Sequence, residues 1–468
     1  MRQLKMLFYG AVLITILGVG LISVVYADSN TSPAVATNAN DEVTIAWNYM
    51  GQGNIPTILA KRYDGNGAPI DNAEFPVSSP FAAPSIFNYG PDIATDSANN
   101  SVVVWCSYEF SSPGESIQIV YTRLSPPRET SRAETESQVI SILPQQDDAA
   151  VEINLLKIPF SPVVAIDSED NMAIAWSYYD FKTTESGIYL TVVGSDGTAS
   201  EPVKVVDNTE ENACGNTTTT IAGTDVKEID IEQDGGVGYQ SIVYHSPSVA
   251  FDGAGNIAVT WTAVGMLRCI VESTDLPLSA VFYSTFDTSG SVIEDKETLA
   301  IGFNSTVASD SLGYTVFAWN RFNLRTLKTR IMAQMYYASG ETTSSEPFEV
   351  GVQSEYTLSS YLDNGNHTSI KGMDMAADNN GNFFIVWGGK NTLRSQIYLK
   401  AIYGNGSYLS NEIQVNQGFE KNSNPSIATD SQGNVIITWN KSSSSVYARR
   451  FDNNLQALGD EFKVNVVY

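Results

Sequence analysis

Few residues in this chain are of the types that usually do chemistry, and their spacing limits what they can do. There are two histidines, His245 and His367, and three cysteines, Cys106, Cys214 and Cys269. They form no Cys/His cluster at zinc spacing and no paired histidines, and neither a phosphate-cradling glycine loop nor a nucleophile elbow is present. His245 stands two residues before Pro247 and reads as a loop residue rather than a base. Arg321, Arg325 and Arg330 are close in sequence, but strand alternation would spread them over two faces, so they read as solvated. Acidic stretches at Asp147-Asp148 and 225–234 lack the alternating oxygen spacing of a compact calcium loop. No cofactor, no metal site and no catalytic residue is therefore expected. Paired carboxylates are the exception, because 52 Asp and Glu are present and their meeting in space is not legible in sequence.

The chain has 468 residues with 43% hydrophobic and 10% aromatic content, enough for a large core. Its 26 Lys and Arg leave a formal net charge of -26, which repels phosphate backbones and excludes nucleic acid as a partner. Only 17% of residues are charged, so the surface is mostly neutral and polar. The first residues read as an export signal. Arg2 and Lys5 precede an apolar run over 6–26, and Val25-Tyr26-Ala27 then offers small residues at a cleavage site. Residues 1–27 are thus a signal peptide or an uncleaved membrane anchor, the only expected membrane contact, and 28–468 lies outside the cell. Three cysteines are too few to build the fold, though a Cys214–Cys269 bridge is one pairing to consider.

What must position any site is a repeat. All seven tryptophans, Trp47, Trp105, Trp176, Trp261, Trp319, Trp387 and Trp439, end one recurring pattern. Two copies read PSVAFDGAGNIAVTW (247–261) and PSIATDSQGNVIITW (425–439). An alanine stands eleven residues before every Trp, and nine before it stand Asp96, Asp167, Asp252, Asp310, Asp378 and Asp430, with Asn38 in the first copy. Each copy predicts a tight β-hairpin, its Asp bonding turn amides and Gly or Asn accepting a positive φ. A second hairpin follows, starting near Ile58, Ile117, Ile188, Val281, Ile331 and Ile397 in the first six. Four antiparallel strands per repeat make a propeller blade, so the expectation is an all-β, seven-bladed β-propeller. Blades are placed at approximately 31–79, 80–143, 144–207, 208–301, 302–352, 353–417 and 418–468. The tryptophans should close the second strands and fill the wedges between blades.

The P-x-[IV]-A-x-D-x-x-G-N-x-x-[VI] core resembles the NHL-type repeats of secreted bacterial and archaeal β-propellers. The resemblance implies a fold and a binding habit, not a reaction. WD-type repeats would put Asp after the Trp, and sialidase boxes place the Trp closer to the Asp, so both fit worse.

Length variation concentrates in second-turn loops such as 262–279 and in crossovers such as 207–246 and 345–371, all on one face; an insertion near 125–136 lies on the other. Loops confined to one face mark a binding face. Tyr49, Tyr108, Tyr178, Tyr179, Phe181 and Phe322 follow the tryptophans and are the candidate ligand-binding residues, suited to sugars or extended peptides. The resulting expectation is a non-enzymatic extracellular module that binds a protein or glycan ligand. The alternative is a glycoside hydrolase or polysaccharide lyase, favoured if carboxylates converge in a deep pocket.

Overall fold

The computed structural model describes residues 32–50, 56–78, 86–109, 116–126, 137–140, 157–180, 185–208, 243–265, 278–323, 328–337, 347–353, 372–391, 394–442 and 445–465. The N-terminal apolar run, Cys214, Cys269, His367, Arg325, Phe181 and the acidic stretches lie outside the described residues. So do most of the long connections.

Within them are seven four-stranded antiparallel sheets, each made of consecutive strands. The innermost strands are Ala34–Thr37, Ile86–Thr95, Lys157–Ile166, Val243–Phe251, Phe303–Ser309, Met373–Ala377 and Asn422–Thr429. The chain is the seven-bladed propeller that its repeats predict. The signature Asp works as expected. Asp252 Oδ1 accepts the amides of Ala254 and Asn256, and its Oδ2 accepts Asn256 Nδ2 at 3.0 Å. Gly255, at φ 83°, makes the turn.

Seven apolar clusters hold the ring, one in each seam between neighbouring blades. Each indole faces the preceding blade: Trp176 packs with Val104 and Tyr121, and Trp261 with Ile188 and Leu190. A pleated sheet has two apolar faces, and radial stacking covers both. All seven indoles are buried, at most 2% exposed. They do not close their strands, however. The second strands continue past the Trp, as in Val43–Met50 and Met172–Asp180.

Among the described residues the ring closes without strand exchange, because blade one consists of the first four described strands and blade seven of the last four. Side chains and the apolar seam join them. Thr37 Oγ1 donates to Thr429 O, Ser431 N donates to Asp41 Oδ1 at 2.8 Å, and Arg450 donates to Gly65 O. Val35, Trp47 and Leu59 pack there against Ile436, Val446 and Val464.

Candidate active site in the axial cavity

The innermost strands share a feature that the repeat pattern did not predict. Fifteen residues before the Trp, Gly90, Ser161, Ser246, Asn304 and Asn424 all adopt positive φ, between 51° and 63°. At each, the pairing with the second strand slips by a β-bulge. Proline follows in four of these blades, at Pro91, Pro162, Pro247 and Pro425. The bulge explains it, since proline has no N–H to give to a ladder. These bulges lie at the end of the strand away from the first turn, which is the long-loop end of the axis.

There they surround a cavity of about 230 Å³, lined by the innermost strands of all seven blades. Small polar groups line it, among them Ser161, Ser246, Asn304 and Ser305, together with two carboxylates, Asp92 and Asp374. Both carboxylates stand thirteen residues before their Trp. Each spends one oxygen on the next blade: Asp92 Oδ2 accepts Val164 N at 2.9 Å, and Asp374 Oδ2 accepts Ile427 N at 3.1 Å. Ser248 makes the equivalent bond to Val307 N at 3.2 Å. These bonds hold the carboxyl groups in a fixed rotamer beside the axis, from blades two and six. Ser305 Oγ is buried and has no hydrogen-bond partner. Carboxylates held opposite hydroxyls and amides can orient a sugar ring and move protons at its linkage.

His245 is in strand Val243–Phe251, not in a loop. It is buried, and its Nδ1 lies 2.9 Å from Oγ of Ser246 at the cavity. No group of three or more His, Cys, Asp or Glu capable of holding a metal occurs among the described residues.

The candidate aromatics lie elsewhere. Tyr108, Tyr178 and Tyr179 are buried on second strands. Tyr108 donates its hydroxyl to Pro159 O of the next blade at 2.6 Å, beside the Cys106 thiol. Burial pushes both the Cys106 thiol and the Tyr108 hydroxyl well up from their usual values. Tyr178 bonds Glu185 across its own hairpin and tilts against Tyr189 at 5.0 Å between ring centres. Tyr49 is half-buried against the seam of blades seven and one. Phe322 is in strand Tyr314–Asn323. Because the second strands run on beyond the tryptophans, these positions are drawn into the blades. Arg321 pairs with Arg330 across a ladder, and Arg330 bridges Glu349 at the surface.

No family model matches the chain, and no curated protein matches it. Solved structures do. An ulvan lyase of polysaccharide lyase family PL25 is 10% identical, with 92% of this chain and 96% of that one covered and a TM-score of 0.48. The α-L-arabinofuranosidase of Fusarium graminearum is 10% identical over 91% of this chain and 93% of its own, at 0.45. An endo-arabinase of Bacteroides thetaiotaomicron is 12% identical over 70% and 96%, at 0.33. The likeness is one of fold. All three are named as glycan-degrading enzymes, and the expectation of a non-enzymatic binding or adhesion module is corrected on that finding, while no activity passes from them to this chain. The physical reason lies in a position that the repeat pattern left unexamined. Residues thirteen before the Trp place two carboxylates in the lining of one cavity.

Proposed function

We propose that the protein is an exported enzyme, a hydrolase or lyase, that degrades extracellular polysaccharide in the axial cavity. One observation carries this reading: Asp92 and Asp374 line the same polar cavity, and each is fixed by an amide of the neighbouring blade. A fixed carboxyl group loses little freedom when it engages a substrate, which is what acid–base work requires. The fold does not need carboxylates there, because Ala34 and Val163 occupy the same position in blades one and three. Export follows from the basic and apolar N-terminus, and kinship with NHL-type repeats rests on the P-x-[IV]-A-x-D core. The ligand is a glycan.

The test is turnover of a polysaccharide panel by the full chain, following new reducing ends and unsaturated products side by side. Asp92→Asn and Asp374→Asn should each keep the fold, since an amide oxygen still accepts the neighbouring N–H. Each should lower kcat by about 100-fold or more. Wild-type turnover that both variants match would remove the carboxylates, and with them the proposed site.

A further inference from the structure

The turn between the third and fourth strands of blade six departs from its counterparts. It runs Tyr403-Gly404-Asn405-Gly406-Ser407, between strands Arg394–Tyr403 and Ile413–Gln414. Tyr403 N donates to Ser407 O and Gly406 N to Tyr403 O, both at 2.8 Å, and Gly406 takes φ 81° to close the turn. Gly404 N donates to Gly381 O at 2.8 Å, so this turn lies beside the first turn of its own blade, at the end remote from the axial cavity. In blades one, four and seven the same turn opens with Asp64, Asp287 and Asp452, whose Oδ1 each accepts two turn amides. Blade six puts Tyr403 in that place. Asn405 takes over instead, its Oδ1 accepting Ser407 N at 2.9 Å and the Ser407 hydroxyl at 2.6 Å. Residues paired across an antiparallel turn share a face, so the Tyr403 ring lies on the side of Ser407, to which the Asn405 amide is bonded. Tyr403 is 42% exposed, and among the described residues it meets no other ring and Asn405 Nδ2 bonds no protein group.

Asn405-Gly406-Ser407 is also an acceptor sequence for N-linked sugar, and a folded chain can carry that sugar only where it leaves room outside. Six more such sequences occur; those at Asn30, Asn216 and Asn366 lie outside the described residues. The fold closes the other three. Asn440 is buried. Asn99 gives its Oδ1 to Ala39 N of blade one, and its partner Ser101 is buried with Oγ 2.7 Å from Thr44 Oγ1. Asn304 lines the axial cavity above a buried Thr306. At the blade-six turn, by contrast, both Asn405 and Ser407 are exposed. We infer that Asn405 carries an N-linked glycan and that Tyr403 is the platform on which its first sugar packs. This rests on the export in the reading above, not on its chemistry. The donor is an oligosaccharide joined to a lipid diphosphate. Asn405 Nδ2 bonds to the anomeric carbon and gives up a proton, while the bond from that carbon to the diphosphate oxygen breaks and its electron pair leaves with the phosphate. The C–H face of the attached ring then covers the exposed face of Tyr403.

The test is peptide mapping by mass spectrometry of the full chain recovered from its native host, with the cell fraction that holds it recorded in the same preparation. The expected result is a glycan on the peptide containing Asn405 and none on those containing Asn99, Asn304 or Asn440. Asn405→Gln should remove it and leave polysaccharide turnover at the wild-type value. Enzymatic release of the sugar should lower the thermal midpoint of the wild type by about 1 °C or more, and leave that of Tyr403→Ser unchanged. An unmodified Asn405 in chain found outside the cell overturns the inference and leaves export standing. Unmodified chain found inside the cell overturns both. A midpoint that release shifts equally in wild type and Tyr403→Ser overturns the role given to Tyr403.

Discussion

The turn of blade five offers a substitution whose sign should be opposite to that of the same change one blade earlier. In five blades the signature Asp uses both oxygens, Oδ1 on turn amides and Oδ2 on an Asn side chain, as in Asp96 with Asn100 at 2.8 Å and Asp430 with Asn434 at 2.8 Å. In blade five Tyr314 stands where that Asn would be. Asp310 Oδ1 still accepts Leu312 N and Tyr314 N at 3.0 and 2.8 Å, but Oδ2 is buried without a hydrogen-bond partner. The residue is 4% exposed. Burial, reinforced by the charge of Asp378 and opposed by the turn amides, raises its pKa. Asp310→Asn keeps the Oδ1 bonds and removes the unpaired charge. It should stabilise by about 1–2 kcal/mol at neutral pH, the scale of an unsatisfied buried polar group. Asp252→Asn, which breaks a satisfied pair, should cost about 1 kcal/mol. Because the folded pKa of Asp310 is raised, its protonated form is favoured in the fold. That contribution is complete below the unfolded value, about 3.9, and is lost as pH rises through the folded pKa. The advantage of the Asn variant should therefore open between about pH 4 and neutrality and vanish on acidification. Denaturant midpoints across that range measure it. A neutral-pH loss for Asp310→Asn equal to that for Asp252→Asn would refute the reasoning.

Other perturbations probe the seams. A Cβ on Gly351 would sit 2.6 Å from Cζ2 of Trp387 in the next blade, so Gly351→Ala should cost about 1–3 kcal/mol, read as a lowered thermal midpoint. Trp176→Ala, emptying a fully buried indole site, should cost roughly 3–5 kcal/mol in a chemical melt. At the closing seam, burial raises the Asp41 pKa, but its bonds from Ser431 and Gln432 and the nearby Arg450 outweigh this and lower it. The stability it supplies is thus present above the ordinary carboxylate pKa and lost as pH falls. Asp41 has φ 61°, a conformation held by glycine at the equivalent turns of blades four to seven. Asp41→Gly should consequently lose about 0.5 kcal/mol or less at neutral pH, with the difference shrinking in acid melts.

The repeat was legible because chain and geometry share one period. The Trp, the Ala eleven residues before it and the Asp nine before it each serve one local need: seam, crowded axis and turn. The site was less legible for the same reason. Attention to what all blades share passes over positions where they differ, and Asp92 and Asp374 occupy a position that also holds Ala34, Val163, Ser248, Thr306 and Ser426. A signal was present in the small residue before Pro91, Pro162, Pro247 and Pro425, where a strand about to carry a proline must bulge. The aromatic candidates misled in another way. Their distance past the Trp suggested loops, yet the ladders run on, as Tyr178 pairing with Gly187 shows. Alternation along an extended strand then turns such residues into the seams.

That same position separates what the fold requires from what the cavity does. Hydroxyl and carboxylate both bridge to the next blade there, as Ser248 and Asp374 do, so a bridge alone is served by a neutral group. Alanine and valine occupy it in blades one and three, where the seam relies on packing of Ala34 and Val163. Asp92 and Asp374 are half-buried beside the axis, where serine can make the same bridge. In a ring whose seams hold without a carboxylate at this position, the two that line one cavity fit the chemistry proposed for the axis. Replacing both with serine tests the point: Asp92→Ser with Asp374→Ser should leave the melting temperature unchanged or raised while abolishing turnover. A double variant that unfolds would return both residues to a purely structural role.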